Sequence, residues 1–309
     1  MGGRVPRARL LIVSATALLA ACTSSTTGSG SAPASSAAPS SSSPTPPPSS
    51  SAAPAPSSSA APSSSPVTSA SRPHRHRSSP PPPPPSSLPT GPLTVVLNPG
   101  HNGGNAAHTA QINRLVPAGY GVRKACDTTG TETNAGYPEH AFTWNVAQRV
   151  ARILRGHGIT VIMTRPDDTG VGPCVDERAA IGNRPGVAAV VSIHADGAPS
   201  SGHGFHVNQD SRRPDGATAA VARQSLALGR AEHAALEQTS GLVPSTYIGQ
   251  DGYYYRDDLA GLNLATRPAT FLELGNMRNA GDADLLSSPA GRARIAGAVA
   301  DGILAFLSR

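Results

Sequence analysis

Residues 1–90 contain none of the 11 aromatic residues and no Asp or Glu, yet they hold 19 of the 31 prolines. A stretch without aromatic or acidic side chains has too little to bury and too little to pair for a packed core. Folding is thereby restricted to residues 91–309, a length suited to a single domain. The split also relocates the charge. Arg4, Arg7, Arg9, Arg72, Arg75 and Arg77 lie in the front segment and account for the formal net charge of +6. The folded part is therefore neutral, which excludes reading the basic excess as a nucleic-acid-binding surface on a domain.

Three of those arginines precede an apolar run, Leu10 to Ala21. The run is too short for a stable membrane-spanning helix and fits the apolar region of a secretory signal. It ends Leu19-Ala20-Ala21-Cys22, which resembles the lipobox of bacterial lipoproteins. That resemblance implies a signal peptide over 1–21, lipidation of Cys22, and a protein on the outer face of the cytoplasmic membrane. Plain signal cleavage beside an incidental cysteine is the other reading, and both export the chain. Residues 22–90 are rich in Ser, Pro and Ala and read as a disordered tether, locally polyproline II. The cluster Arg72-Pro-His-Arg-His-Arg77 reads as a solvated charge group or as a contact for anionic wall polymer.

Residues 91–309 alternate short apolar runs with helical periodicity. Leu93–Leu97, Ile159–Met163, Val187–Ile193 and Ala269–Leu274 read as buried strands. Phe142, Val146, Val150, Ile153 and Leu154 recur at helical spacing between Pro138 and Gly156. Val175–Ile181, residues 217–237 and Pro289–Leu307 read as further helices. The alternation predicts an α/β fold: a three-layer domain with a mostly parallel twisted sheet and helices on both faces.

In such a sheet, ligands gather beyond the carboxyl ends of the strands. His101 follows the first strand, His194 the third, and Glu273 lies near the end of the fourth, while Glu139 begins the first long helix. Two histidines, a carboxylate and a spare carboxylate are the parts of a hydrolytic zinc site: three ligands, an open fourth position, and a group to take a proton. They are scattered along the chain instead of packed into one motif, so spacing alone leaves the assignment open.

The motifs around these residues narrow it. Asn98-Pro-Gly-His101, Pro138-Glu-His140, Ser192-Ile-His-Ala-Asp196 and Leu272-Glu-Leu-Gly-Asn-Met-Arg-Asn279 resemble those of the zinc-dependent N-acetylmuramoyl-L-alanine amidases (the Amidase_3 family), and within it the actinobacterial branch. The resemblance spans about residues 93–307. It implies a zinc ion (Zn²⁺) held by His101, Glu139 and His194, with Glu273 as catalytic base. The substrate implied is peptidoglycan, cut between N-acetylmuramic acid and L-alanine of the stem peptide. A monomer is expected. Asn98 departs from the Asp more usual before Pro-Gly-His, which bears on the tuning of His101. The resemblance also implies that Cys126 and Cys174 form a disulfide, in keeping with export.

The other candidates read as follows. His140 has surface or capping duty, His203 and His206 form a strand-edge pair with His206 able to face the cleft, and His108 and His157 lie in exposed loops. Tyr253-Tyr-Tyr255 is a substrate-stacking element or a buried hairpin tip. Arg178 and Asp196 support structure near the site. Residues 238–262 read as loop, without an inhibitory helix. Two rival functions use similar parts: another zinc hydrolase of the cell wall, and a non-catalytic peptidoglycan-binding or regulatory lipoprotein. The latter would be marked by a missing ligand or a missing Glu273, and all four residues are present.

Overall fold

The computed structural model describes residues 93–309. The signal-like segment 1–21, Cys22 and the tether 22–90 lie outside the described residues. In chain order the elements are β1 (Thr94–Pro99), α1 (Thr109–Ile112), β2 (Leu115–Pro117), β3 (Arg123–Ala125), α2 (Glu139–Gly156), β4 (Thr160–Met163), α3 (Val175–Gly182) and β5 (Val187–Asp196). There follow β6 (His206–Asp210), α4 (Ala219–Ala235), β7 (Tyr253–Arg256), α5 (Ala260–Asn263), β8 (Ala269–Asn276), α6 (Ala280–Ser287) and α7 (Pro289–Leu307). Six strands form one sheet in the order β4-β1-β5-β8-β6-β7, and β2 and β3 form a separate antiparallel pair. Every neighbouring pair in the large sheet is parallel except β6 with β8. The expected three-layer, mostly parallel α/β domain is what forms.

The two faces are covered unequally. α2, α4 and α7 share one face and build the main core with Val95, Leu97, Val191, Ile193, Leu272 and Leu274. The predicted stripe of α2 is the reason it lies there: Phe142, Val146, Val150 and Leu154 are all fully buried. Burying each such side chain stabilises the fold by about 1.5–3 kcal/mol. α7 presents Ile295, Val299, Ile303 and Leu307 at four-residue spacing, with Ala296 and Ala300 between them allowing close approach. Its start is fixed by Ser288, whose side chain accepts from Gly291 N, and by Pro289 in the first turn. Among the described residues the opposite face carries only α3 and α5, over a small cluster around Val96, Val190 and Leu262.

Three expectations are corrected here. β6 and β7 are strands that the periodicity does not reveal, because His206-Val-Asn-Gln-Asp210 and Tyr253-Tyr-Tyr-Arg256 are polar or aromatic on both faces. Tyr253–Tyr255 is consequently an edge strand and not a buried hairpin tip; Tyr253 packs against the His233 ring at 4.3 Å, while Tyr255 is exposed. Residues 238–262 are not all loop, since they contain β7 and the start of α5. A π-helical turn, Leu236–Ser240, extends α4 into the start of this span, and α5 is a single turn at its end.

Candidate metal centre and active site

β1, β5 and β8 run parallel, so their carboxyl ends open on the same edge of the sheet. A cleft of about 460 Å³ lies there, on the face that carries α3 and α5. Its floor is His194, Phe271 and Glu273, one wall is the segment 124–131, and the other is the segment 256–261.

His101 stands one residue beyond the Pro-Gly turn that ends β1. Its backbone is in the left-handed region, φ 58°, which costs a non-glycine residue about 1–3 kcal/mol and persists only when surroundings enforce it. Arg178 provides that enforcement, donating from Nη2 to His101 O at 3.0 Å. The ring is fixed separately. His101 Nδ1 is 3.0 Å from Thr128 O and 3.4 Å from Asp127 Oδ1, which leaves Nε2 to point into the cleft, 3.1 Å from Glu139 Oε2. Gly100, just before it, is required by packing, because a Cβ there would lie 2.0 Å from Cε1 of the His194 ring.

Glu139 is the first residue of α2, after Pro138 in extended conformation. It is buried, with Oε2 accepting from Thr131 N at 3.0 Å and Oε1 accepting from Ala195 N at 3.2 Å. The His194 Nδ1 approaches the same Oε1 at 3.0 Å, and its ring stacks on Phe271 at 4.2 Å. One donor atom each from His101, Glu139 and His194 lies within 4.8 Å of the others, an arrangement that could hold a metal ion. Two imidazoles and a carboxylate are donors that suit a first-row divalent cation. Glu273 sits beside them, paired with His194 across β5 and β8. It lines the cleft but offers none of the three clustered donors, and its Oε2 is buried without a partner.

The electrostatics follow from this crowding. Burial lowers the His101 imidazole, but the Glu139 and Asp127 carboxylates outweigh it and raise the group to about 10. Glu139 goes the other way: burial raises it, and the two imidazoles hold it well below the carboxylate range. Burial lowers His194. Burial, then the Glu139 and Asp196 carboxylates, push Glu273 well up. Such opposed shifts within one cleft mark a place where a cation is wanted and a proton can be held.

The remaining sequence candidates fall into place around this centre. Arg178 is buried and holds Asn98 Oδ1, Pro99 O and Asp127 as well as His101 O, the supporting role expected of it. Asn98 reaches His101 only through that arginine; its Nδ2 donates to Ser192 Oγ and its Oδ1 accepts from Thr164. Asp196 accepts from the Tyr247 hydroxyl at 3.1 Å. His140 stays out of the donor cluster, as expected; its half-buried side chain pairs with Asp168 at 2.8 Å. His108 and His157 are exposed, though His108 ends a 3-10 turn instead of lying in a loop. The strand-edge pairing of His203 and His206 is overturned: His203 precedes the strand, while His206 is 1% exposed inside the sheet. Cys126 and Cys174 are joined in a disulfide across 48 residues. Sequence reasoning missed Asp127, whose only signal was its place directly after Cys126, and it missed the Lys124–Asp258 ion pair between the two walls.

Comparison with known proteins agrees with this geometry. The model of the Amidase_3 family, described as N-acetylmuramoyl-L-alanine amidase, matches residues 95–305. The chain is 45% identical over 216 residues to the N-acetylmuramoyl-L-alanine amidase Rv3717 of Mycobacterium tuberculosis, covering 70% of this chain and 87% of that protein. The crystal structure of the apo form of the amidase Ami1 from Mycobacterium abscessus is similar at 48% identity and TM-score 0.65, covering 70% of this chain and 98% of that one. Ami1 from Mycobacterium smegmatis is similar at 44% identity and TM-score 0.66, over 72% and 99% of the two chains. With a family match across nearly the whole described domain, and relatives this similar over most of their own length, the chain belongs to the Amidase_3 family of N-acetylmuramoyl-L-alanine amidases.

Proposed function

We propose that this protein is a peptidoglycan hydrolase that cleaves the amide between the lactyl group of N-acetylmuramic acid and L-alanine of the stem peptide. Zinc is the metal assigned, with His101, Glu139 and His194 as its ligands and Glu273 as the base. The observation that carries the reading is the convergence of three donor atoms beside a fourth, cleft-lining carboxylate in a member of this amidase family. The donor set fits zinc, since two histidines and one carboxylate leave a coordination position open. Zinc supplies Lewis-acid polarisation to such a site when bound.

The protein's own groups do the rest. The hydrogen bond between His101 Nδ1 and Thr128 O selects the tautomer whose Nε2 faces the cleft. Glu139 is held by two backbone amides, so its carboxylate is oriented before any ligand arrives. Glu273 takes a proton from the attacking water and delivers it to the departing alanine nitrogen. The walls at 124–131 and 256–261 bound the cleft on whose floor Phe271 lies, the surface assigned to the stem peptide.

The same proposal places residues 1–21 as an export signal, Cys22 as a lipid anchor, 22–90 as a tether and 91–309 as the catalytic domain. The protein then works at the outer face of the membrane and reaches into the wall. The test is a muropeptide digest with the purified full chain, read by mass spectrometry beside metal analysis. An intact stem peptide with a free L-alanine amino terminus is expected, together with one zinc per chain. A shortened stem peptide or a deacetylated glycan as the sole product would overturn it.

A further inference from the structure

Three ionisable side chains stand side by side across three strands on the face that carries α3 and α5. The register sets His194 of β5 beside Glu273 of β8, and Glu273 directly opposite His206 of β6. His194 belongs to the donor cluster, whereas His206 does not. The His206 ring is 1% exposed and is held edge-on between Tyr247 and Tyr254, with ring centroids 6.0 and 6.1 Å away. Burial lowers this imidazole to about 4 against the opposing pull of Asp196, so the ring is neutral and carries a single N–H.

Among the described residues neither His206 Nδ1 nor Glu273 Oε2 has a hydrogen-bond partner, and both atoms are buried. Buried polar atoms are rarely left so, and each calls for an explanation. Here the two orphans belong to directly opposed residues of an antiparallel pair, whose Cβ atoms are about 4.5–5.5 Å apart. One is a nitrogen able to donate and the other a carboxylate oxygen able to accept. Their opposed register puts the two side chains next to each other on one face of the sheet.

We propose that His206 is the positioning residue of Glu273: its Nδ1–H holds the inward oxygen, Oε2, and so keeps the other oxygen turned to the cleft. The inference rests on the reading of Glu273 as the base. A ring that only filled space between two tyrosines would be indifferent to which nitrogen carries the proton. A ring that orients a carboxylate requires it on Nδ1. The same requirement explains how a histidine can occupy the interior of a sheet without serving as a metal ligand.

The experiment uses the full, zinc-loaded protein with a muropeptide substrate. His206→Phe keeps a ring between the tyrosines and removes the donor; kcat should fall about 10- to 100-fold with KM and zinc content unchanged. His206→Asn places an amide nitrogen where Nδ1 stood and should recover most of that loss, although it fills the space less well. A packing role predicts the reverse order. Wild-type turnover by His206→Phe, or activity of His206→Asn below that of His206→Phe, would overturn the assignment. Nitrogen-15 NMR of histidine-labelled wild type reports the tautomer without any variant: Nδ1–H is expected, and a neutral Nε2–H ring refutes the proposal even if both variants misfold. Glu273→Gln run alongside separates the two readings. If it stays active, the base assignment fails; if it is inactive while His206→Phe is fully active, only the positioning role fails.

Discussion

Glu139 and Glu273 face one cleft, and the proposed function gives them different work. Glu139 is anchored by Thr131 N and Ala195 N and meets both imidazoles, so its loss removes a donor from the cluster. Glu273 is buried at one oxygen only and offers none of the clustered donors. Glu139→Gln should therefore lose metal affinity and activity together. Glu273→Gln should keep its metal and lose activity by at least about 10²–10⁴-fold, the range of general-base catalysis. Elemental analysis beside muropeptide turnover checks both, and a metal-free Glu273→Gln would reverse the roles. Most of this residue-level picture was legible, because His101, Glu139, His194 and Glu273 each sit in a local motif of several residues. Asp127 and His206 were not. Asp127 acts on His101 from 26 positions away through a loop whose path no local signal gives. His206 owes its place to strand pairing with residue 273, a contact made only in the folded sheet.

Among elements, the connection between β1 and α2 is the one most in need of support. It carries only short helical turns and the β2–β3 pair, yet its segment 124–131 forms a wall of the cleft and Thr128 fixes the His101 ring. The Cys126–Cys174 disulfide ties that wall to the start of α3, where Cys174 N also donates to Glu177 Oε2. Closing a loop of 48 residues contributes about 4 kcal/mol on the chain-entropy model. Replacing both cysteines by serine should lower stability by up to about that amount while leaving metal content near one per chain. Thermal unfolding followed with and without reductant measures it; an unchanged midpoint would show that the bond is dispensable. Strong stripes made α2 and α7 readable, whereas β6 and β7 were not, since His206, Asn208 and Gln209 are buried polar residues that imitate a loop in sequence.

At the level of the whole molecule, the helical layer contains an internal conflict. Glu232 of α4 is 0% exposed, and neither carboxylate oxygen has a partner. Burial, then repulsion from Asp301, raises its carboxyl well above the usual range. The folded state thus binds a proton that the unfolded chain releases, so this group's contribution to stability falls as pH rises from the ordinary Glu value of 4.5 through the raised folded one. Glu232→Met, which removes both oxygens at similar volume, should raise stability by about 1–3 kcal/mol at pH 8 and by less at pH 5. Calorimetry at the two pH values decides, and a variant less stable than wild type at pH 8 would contradict the account. The proposed anchor is a second property of this scale: Cys22→Ala should block lipidation and lipoprotein-type processing, read by membrane partitioning in detergent. A wild type already entirely soluble in the medium would remove the lipid from the picture. Sheet order and the reversed direction of β6 were beyond sequence reading, because they depend on which distant strands meet.

The uneven helical cover has a mechanical consequence. α2, α4 and α7, of 18, 17 and 19 residues, lock one face of the sheet, while the face with the cleft has only α3 and α5, of 8 and 4 residues, and loops. Local openings draw on regions with few buried apolar contacts, so the walls can breathe at a fraction of the cost of global unfolding. The rigid slab and the pliant front are then separate reservoirs of stability. Such a molecule can press its working surface against a cross-linked solid, yielding at the walls of the cleft while the strands that hold His101, His194 and Glu273 stay still.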